Sequence, residues 1–419
     1  NWITIEQMGL ICTDQKRLVG LKLVYLFAHQ QIAMAFPYPG KLNFRVLVQV
    51  GVKMQFPILL NNDPLFAADR DGKRYNFQIK TFFVAKLMII GCFWLKNVRN
   101  WPIHINSNRW LQSIFVKNLD MKAFEWTGVF PALTTKFNSQ EELDLPLFGK
   151  NLQAQVAGGV NGIILGGSLG EASTITVGEK ESLVKFSLEQ LEGAIPVVLN
   201  IAEGSTREAV RQAELAQTWG ADGLMLLPPM RYKADDRETT AFFRSVAQST
   251  DLPIMLYNNP VDYKIEITLD MFESLIEEKN ITAVKESTRD VSNVTRLVNR
   301  FGNRLKILCG VDTLALEELV LGADGWVAGL VCAFPAETVT IYRLVKAGKI
   351  AEALKIYRWF LPLLELDLHP KLVQYIKLAE QATGIGSEHV RAPRLTLEGA
   401  ERTRILKIIQ DGVAKRPQL

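Results

Sequence analysis

From Met121 onward the chain alternates short apolar runs with amphipathic segments of helical length, and this alternation limits the folds open to it. Eight apolar runs have the length of β-strands, at 128–135, 162–167, 196–202, 223–228, 253–259, 282–287, 305–310 and 325–330. The runs lack polar alternation, which is typical of parallel strands buried on both faces of a sheet. No nucleotide-binding glycine fingerprint follows the first run. Eight β/α units therefore predict a (β/α)8 TIM barrel rather than an open sheet.

Helical patterns lie between these runs and continue after the last one. Thr176 followed by Glu179 predicts a capping box at the start of a helix. Beyond the eighth run only helical patterns occur. We therefore expect a barrel over residues 121–335 and a C-terminal helical bundle over residues 336–419.

Residues 1–120 differ from the rest in charge and pattern. They hold 15 lysines and arginines against 6 acidic residues, whereas the remaining chain holds 33 against 38. Apolar runs occur in this segment, but neither helical nor strand periodicity is sustained. We expect a poorly ordered basic extension that catalysis does not need, so that a fragment starting at Met121 keeps its activity. A nucleic-acid or membrane-surface module is the alternative, although the basic residues are scattered.

The cysteines and histidines give no reason to expect a metal or another cofactor. Cys12, Cys92, Cys309 and Cys332 lack the spacing of metal ligands, and the four histidines form no cluster. Few cysteines indicate a reduced, cytoplasmic protein, with Cys309 and Cys332 as small core residues. No signal peptide and no membrane span is expected, since the longest apolar stretch is short and contains a lysine.

Lys285 is the residue that points most directly to chemistry, because it lies inside the apolar run 281–288. A confined apolar pocket lowers the pKa of a lysine, and the neutral amine can attack a carbonyl carbon to form a Schiff base. A lone lysine at a strand end more often extends to solvent. Here, however, Tyr257 closes the preceding strand, and a tyrosine one strand away can shuttle protons during imine formation. A core aromatic is the alternative interpretation of Tyr257.

Two further features fall at the carboxyl ends of predicted strands, where barrel enzymes carry their chemistry. The turn Gly-Gly-Ser-Leu-Gly-Glu at 166–171 can expose several backbone N–H groups to a carboxylate, although an ordinary tight turn would look similar. Glu171 and Glu286 are expected to give supporting hydrogen bonds. Asp312 follows the seventh strand and is expected to cap the helix near Thr313.

The segments GSLGEAST, YNNP, AVKES and GVDTLALEELVLGADGWVAG resemble the dihydrodipicolinate synthase/N-acetylneuraminate lyase family of class I aldolases across residues 121–419. The resemblance implies a barrel with a helical C-terminal extension, a homotetramer, and a small 2-oxo acid or cyclic imine as substrate. No cofactor, nucleic acid or membrane is implied. It makes Lys285 the Schiff-base lysine and Tyr257 the proton-shuttling tyrosine. The implied substrate contacts are Ser168, Leu169, Gly167, Gly310 and Val327.

The sequence departs from the synthase pattern at two positions. The synthase carries an arginine after its YNxP motif, where this chain has Asp262, and a tyrosine shared across a dimer interface, where it has Met230. The wider pattern instead resembles the branch containing 1-pyrroline-4-hydroxy-2-carboxylate deaminase, an enzyme of hydroxyproline breakdown. The open alternatives are a 2-keto-3-deoxy sugar acid dehydratase or aldolase, 4-hydroxy-tetrahydrodipicolinate synthase, and a non-catalytic barrel in which Lys285 is idle.

Overall fold

A computed structural model describes residues 24–28, 31–35, 47–49, 125–229 and 232–419. The chain divides into two compact units, Asn1–Leu119 and Asp120–Leu419. In the first unit, the strands Val24–Ala28, Gln31–Ala35 and Leu47–Gln49 form an antiparallel sheet in that order. The expectation of a poorly ordered extension otherwise falls on residues outside the described ranges.

Eight parallel strands form a barrel in the second unit. They are β1 (Gly128–Pro131), β2 (Ile163–Leu165), β3 (Val197–Ile201), β4 (Gly223–Leu226), β5 (Ile254–Asn258), β6 (Ile281–Glu286), β7 (Lys306–Cys309) and β8 (Gly325–Ala328). Neighbouring strands follow chain order from β2 to β8, and β8 pairs with β1. The ring closes between β1 and β2, where Ala132 pairs with Ile164 and Leu133 N–H donates to the Ile164 carbonyl at 2.9 Å. The predicted (β/α)8 barrel is confirmed.

The strands are buried on both faces, which explains their unbroken apolar character. Every residue of β1 to β5 and of β8 is buried. Each predicted run corresponds to one strand, and all eight strands end earlier than their runs do. The remaining apolar residues bend out of the ladder into the rim loops, as after β2, where Gly166 has a φ of +66°.

Helices follow the strands around the barrel. They are α1 (Leu145–Gly158), α2 (Val177–Leu191), α3 (Thr206–Trp219), α4 (Asp236–Ala247), α5 (Pro260–Tyr263), α6 (Leu269–Leu275), α7 (Ser292–Phe301), α8 (Ala315–Val320) and α9 (Pro335–Lys346). The predicted capping box is present: Thr176 Oγ1 accepts from Glu179 N–H at 3.2 Å, and the Glu179 carboxylate accepts from Thr176 N–H at 2.8 Å. Short 3-10 turns occur at Gly302–Arg304, Asp312–Leu314 and Leu330–Cys332.

Three helices form the C-terminal extension: α10 (Ile350–Leu364), α11 (Leu372–Ala382) and α12 (Gly399–Ala414), with a 3-10 turn at Glu365–Leu368 between α10 and α11. Helix α9 packs against α1, β1 and β8 of the barrel and also against α10 of the extension. The expected boundary of the bundle at residue 336 stays a prediction.

The structure tests the expectations on cysteines and membrane spans for the residues that it describes. Cys309 and Cys332 are buried and free, whereas Cys12 and Cys92 lie outside the described residues. Across the described ranges, no helix combines the length and apolar character needed to cross a membrane.

Candidate active site

The structure brings Lys285 and Tyr257 together at the carboxyl-terminal rim of the barrel. Each is the last but one residue of its strand, β6 and β5, and the two pair directly in the parallel register. The Lys285 Nζ lies 4.3 Å from the centre of the Tyr257 ring. The two side chains thus lie side by side, as their positions at neighbouring strand ends predicted.

Lys285 does not extend to solvent, since only 7% of the residue is exposed. Within the described part of the chain, no hydrogen bond or ion pair reaches its amine. Burial lowers the pKa of Lys285 below its usual 10.5, and the electrostatic effects of Tyr263 and Asp367 oppose this in part. The neutral, nucleophilic amine is therefore more accessible than in an exposed lysine.

The Tyr257 hydroxyl is buried and held by its neighbours. Asn259 Nδ2 donates to it at 3.2 Å. Burial raises the pKa of Tyr257 to about 12, although the Asn259 and Ser287 side chains act in the opposite direction. The phenol consequently stays protonated near neutral pH and can pass a proton along rather than act as a standing base.

The Gly-rich turn follows β2 and contains the predicted contacts Gly167, Ser168 and Leu169. Ser168 is exposed and Leu169 is buried. The turn needs glycine at position 170, because a Cβ there would lie 3.0 Å from the backbone nitrogen of Gly166. Among the described residues, the backbone N–H groups of Ser168 and Leu169 donate to no acceptor. They are thus available to a carboxylate, as a nest of this type requires.

Tyr263 also belongs to the site, and sequence reasoning missed it. It ends the short helix α5, and its hydroxyl lies 2.7 Å from Ser168 Oγ. Its ring meets that of Tyr257 edge-on, with ring centres 5.4 Å apart. A tyrosine six residues after Tyr257 is the only signal the sequence offers, since the contact with Ser168 spans 95 positions.

The two remaining predicted substrate contacts, Gly310 and Val327, lie just after β7 and within β8. Gly310 follows β7 and leaves room for the lysine, because a Cβ there would lie 2.7 Å from Lys285 Cε and 2.1 Å from Ser287 Oγ. Val327 lies buried in β8, in register with Phe130 of β1. Its contact with substrate stays a prediction.

Asp312 has a role other than the predicted one. Its carboxylate accepts from Trp326 Nε1 at 2.9 Å and from the backbone N–H groups of Gly329 and Leu330, the latter at 2.8 Å. No side-chain bond caps its own 3-10 turn. The prediction of a cap near Thr313 is wrong, because β8 returns to the rim and offers three donors that the local sequence does not reveal.

Glu286 and Glu171 both give supporting hydrogen bonds. The Glu286 carboxylate accepts from Thr288 N–H at 2.7 Å and from Asn293 Nδ2 at 2.8 Å. The Glu171 carboxylate pairs with Lys377 of the C-terminal extension at 2.6 Å. These carboxylates hold the segments on either side of the pocket.

Asp262, where the synthase has an arginine, is fixed at the outer end of the site. Its carboxylate accepts from Asn259 Nδ2 at 2.8 Å and lies 3.7 Å from the guanidinium of Arg289. Met230, the other departure from the synthase pattern, lies outside the described residues.

A parallel eight-stranded barrel with these side chains at its carboxyl-terminal rim has the arrangement typical of barrel enzymes. The sequence matches the model of the dihydrodipicolinate synthetase family over residues 125–412, and the chain belongs to that family. The match covers the barrel and most of the C-terminal extension.

The relatives agree with this assignment. The 4-hydroxy-tetrahydrodipicolinate synthase of Exiguobacterium sibiricum is 32% identical over 273 residues, which are 64% of this chain and 91% of that protein. The crystal structure of the Aquifex aeolicus dihydrodipicolinate synthase superposes with a TM-score of 0.65 at 28% identity, over 68% of this chain and 97% of that one. YagE, an Escherichia coli K12 prophage protein of the same family solved in complex with pyruvate, gives 0.65 at 25% identity, over 69% and 99%.

Proposed function

We propose that this protein is a Schiff-base lyase for a 2-oxo acid or its cyclic imine. The best-fitting reaction is conversion of 1-pyrroline-4-hydroxy-2-carboxylate and water to 2,5-dioxopentanoate and ammonia, as in hydroxyproline breakdown. The observation that carries the proposal is the buried Lys285 amine, which has no ion-pair partner among the described residues and lies over the Tyr257 ring. Burying a cationic lysine without a partner is costly. A lysine in such a place therefore suggests a function that uses the neutral amine.

The proposed reaction begins at the ring carbon–nitrogen double bond. The Lys285 amine attacks that carbon, and the ring opens by transimination. The resulting protonated imine acidifies carbon 3, whose proton leaves through Tyr257 or a water linked to its hydroxyl. The enamine then expels the 4-hydroxyl group. The freed terminal amine tautomerises to an imine, and one water hydrolyses it to release ammonia. A second water hydrolyses the Lys285 imine, which frees the lysine and releases 2,5-dioxopentanoate.

The glycine-rich turn supports binding of the substrate carboxylate. The N–H groups of Ser168 and Leu169 have no acceptor of their own in the described chain. Backbone donors of this kind suit an anion. The family member YagE was solved with pyruvate, which has the same 2-oxo acid group.

A second candidate is 4-hydroxy-tetrahydrodipicolinate synthase, which the names of the relatives favour. Asp262 argues against it, because the aldehyde substrate of that reaction carries a carboxylate at the corresponding end. An aspartate held next to Arg289 repels a second carboxylate and cancels much of the arginine's charge. Sugar acid dehydration would use the same enamine and the same elimination. A binding barrel with an idle Lys285 is the non-enzymatic alternative.

Trapping with borohydride tests the shared part of these proposals. Pyruvate and borohydride should modify the wild-type protein at one site, and peptide mass analysis should place the adduct on Lys285. The matched control is Lys306→Ala, since Lys306 lies on the next strand but pairs with Asp324 at 2.9 Å. Loss of labelling in Lys306→Ala, or labelling that persists in Lys285→Ala, would refute the assignment.

A substrate panel separates the reactions. We expect ammonia and 2,5-dioxopentanoate from 1-pyrroline-4-hydroxy-2-carboxylate, and little turnover of pyruvate with aspartate semialdehyde. The reverse order of kcat/KM values would favour the synthase. We retain the homotetramer and a cytoplasmic location as proposals, the first to be tested by light scattering and the second by cell fractionation.

A further inference from the structure

Asp367 is a carboxylate that the C-terminal extension brings to the rim of the barrel. It lies in the 3-10 turn Glu365–Leu368 between α10 and α11. A Cβ built on Gly329 would lie 2.6 Å from Asp367 Oδ1 and 3.2 Å from Leu169 Cδ1. Because Leu169 belongs to the turn proposed to hold the substrate carboxylate, Asp367 borders the same pocket.

No hydrogen bond or ion pair fixes the Asp367 carboxyl group within the described part of the chain. The neighbouring Asp312 is different, since three donors from β8 and the following turn occupy it. Burial, followed by the Asp312 carboxylate, raises the pKa of Asp367 well above its usual range, while Lys285 and Arg289 act in the opposite direction. Asp367 is partly buried. A partly buried acid without a fixed partner is costly for the fold, and such groups concentrate at functional sites.

We propose that Asp367 is the general acid that protonates the departing 4-hydroxyl group. This inference rests on the proposed function. In the step, the enamine electron pair forms the carbon 3–carbon 4 double bond and the carbon 4–oxygen bond breaks. The oxygen keeps that bond's electron pair, takes the proton of Asp367 and leaves as water. Asp367 becomes a carboxylate and recovers a proton when carbon 5 loses one in the following tautomerisation.

The position of Asp367 fits this step better than that of the other acids. Asp312 has its oxygens filled by donors, and Asp262 is held by Asn259 and Arg289 at the outer end. Tyr257 is engaged with the carbon 3 proton in the proposed reaction. Asp367 and Asp312 are the carboxyl groups whose charges act on Lys285, where the enamine forms, and Asp312 is the one already occupied by donors.

The test separates enamine formation from loss of the hydroxyl group. Exchange of the methyl protons of pyruvate with deuterated water needs the imine and the enamine but no leaving group. We expect Asp367→Asn to keep this exchange within about twofold and to lose about 10²–10³-fold in turnover of the 4-hydroxy substrate, the usual contribution of a positioned acid. A 4-chloro-2-oxo acid, whose leaving group needs no proton, should be eliminated by Asp367→Asn at close to the wild-type rate.

The control variant is Glu365→Gln, because Glu365 is an exposed acid in the same turn. It should match the wild-type protein in all three assays. Equal elimination of the hydroxy substrate by Asp367→Asn and wild type would overturn this inference alone. So would a parallel loss of exchange and elimination, which indicates a structural role. Failure of the wild-type protein to exchange pyruvate protons would overturn the proposed function as well.

Discussion

Two regions of the molecule bury lysines, and they differ in whether an acidic side chain pairs with the lysine. At the junction of the barrel and the C-terminal extension, Lys136 pairs with Glu380 at 3.1 Å and Lys377 pairs with Glu171 at 2.6 Å, with all four side chains fully buried. At the rim, Lys285 is almost as deeply buried, but no ion pair reaches it from the part of the chain that the structure describes. Each paired lysine has a carboxylate to compensate its charge, whereas burial favours the neutral amine of Lys285.

The two regions are connected through one turn. Glu171 ends the glycine-rich turn, and its carboxylate also accepts from the backbone N–H of Arg391 at 3.1 Å. Ser168 and Leu169 face the pocket from the same turn. The ion pairs of the junction thus hold in place the backbone that the unpaired lysine needs beside it. A buried lysine is therefore informative about chemistry only once its partners are known.

The largest expected effect comes from removing the unpaired lysine. Lys285→Ala should lose activity by about 10⁴-fold or more, because the covalent nucleophile has no substitute. Its stability should change little or rise, since a costly buried amine has been removed. Steady-state turnover and urea denaturation measure the two quantities. Wild-type turnover in this variant would contradict the claim that the unpaired lysine is the covalent nucleophile.

The next effect concerns the tyrosine that lies under the lysine amine. Tyr257→Phe should bind substrate normally but turn it over about 10²–10⁴-fold more slowly, as expected for a lost proton relay. Tyr263→Phe is the matched variant, because the Tyr263 ring packs edge-on against the Tyr257 ring. Comparing the kcat values of the two variants shows which hydroxyl group carries the proton. An equal kcat for Tyr257→Phe and wild type would exclude the relay role.

The barrel could be predicted from the sequence because each strand and helix leaves a pattern in its own short segment. Strands buried on both faces leave apolar runs, and eight such runs with helical segments between them leave few alternatives. Lys285 and Tyr257 could be predicted for a related reason: neighbouring parallel strands end at the same rim, so residues at two strand ends come together. Position in the strand, rather than a long-range contact, provides the signal.

The parts that could not be predicted depend on contacts between distant segments. Lys377 meets Glu171 across 206 positions, and the extension's helical pattern does not show which face meets the barrel. Asp367 was missed for the same reason, since a carboxylate in a helical region looks like surface. Tyr263 was missed because its role depends on the turn that precedes it by 95 positions.

A smaller effect is expected from the paired region, and on stability rather than chemistry. Lys377→Met should lower the free energy of unfolding by about 3 kcal/mol, because it leaves the Glu171 carboxylate buried without its main partner. The value lies at the lower end of the usual range because Arg394 remains 3.7 Å from Glu171. Urea denaturation measures it. The double variant Lys377→Met with Glu171→Gln should recover much of the loss, and failure to recover it would mean that packing, not charge, dominates.

The smallest expected effect is a displacement of a pH profile, and it tests the unpaired state of Lys285 directly. The amine attacks only when neutral, so the rate of pyruvate trapping should rise with pH and level off above the pKa of Lys285. Since burial lowers that pKa, the half-maximal rate should fall below pH 10.5. Tyr257, with a pKa of about 12, stays protonated over this range and should add no descending limb.

The pKa of Lys377 is lowered to about 8, chiefly by burial, so circular dichroism at each pH must show that the fold is unchanged. A half-maximal rate at or above pH 10.5 would mean that burial does not favour the neutral amine of Lys285, and the proposed role of its unpaired state would not hold.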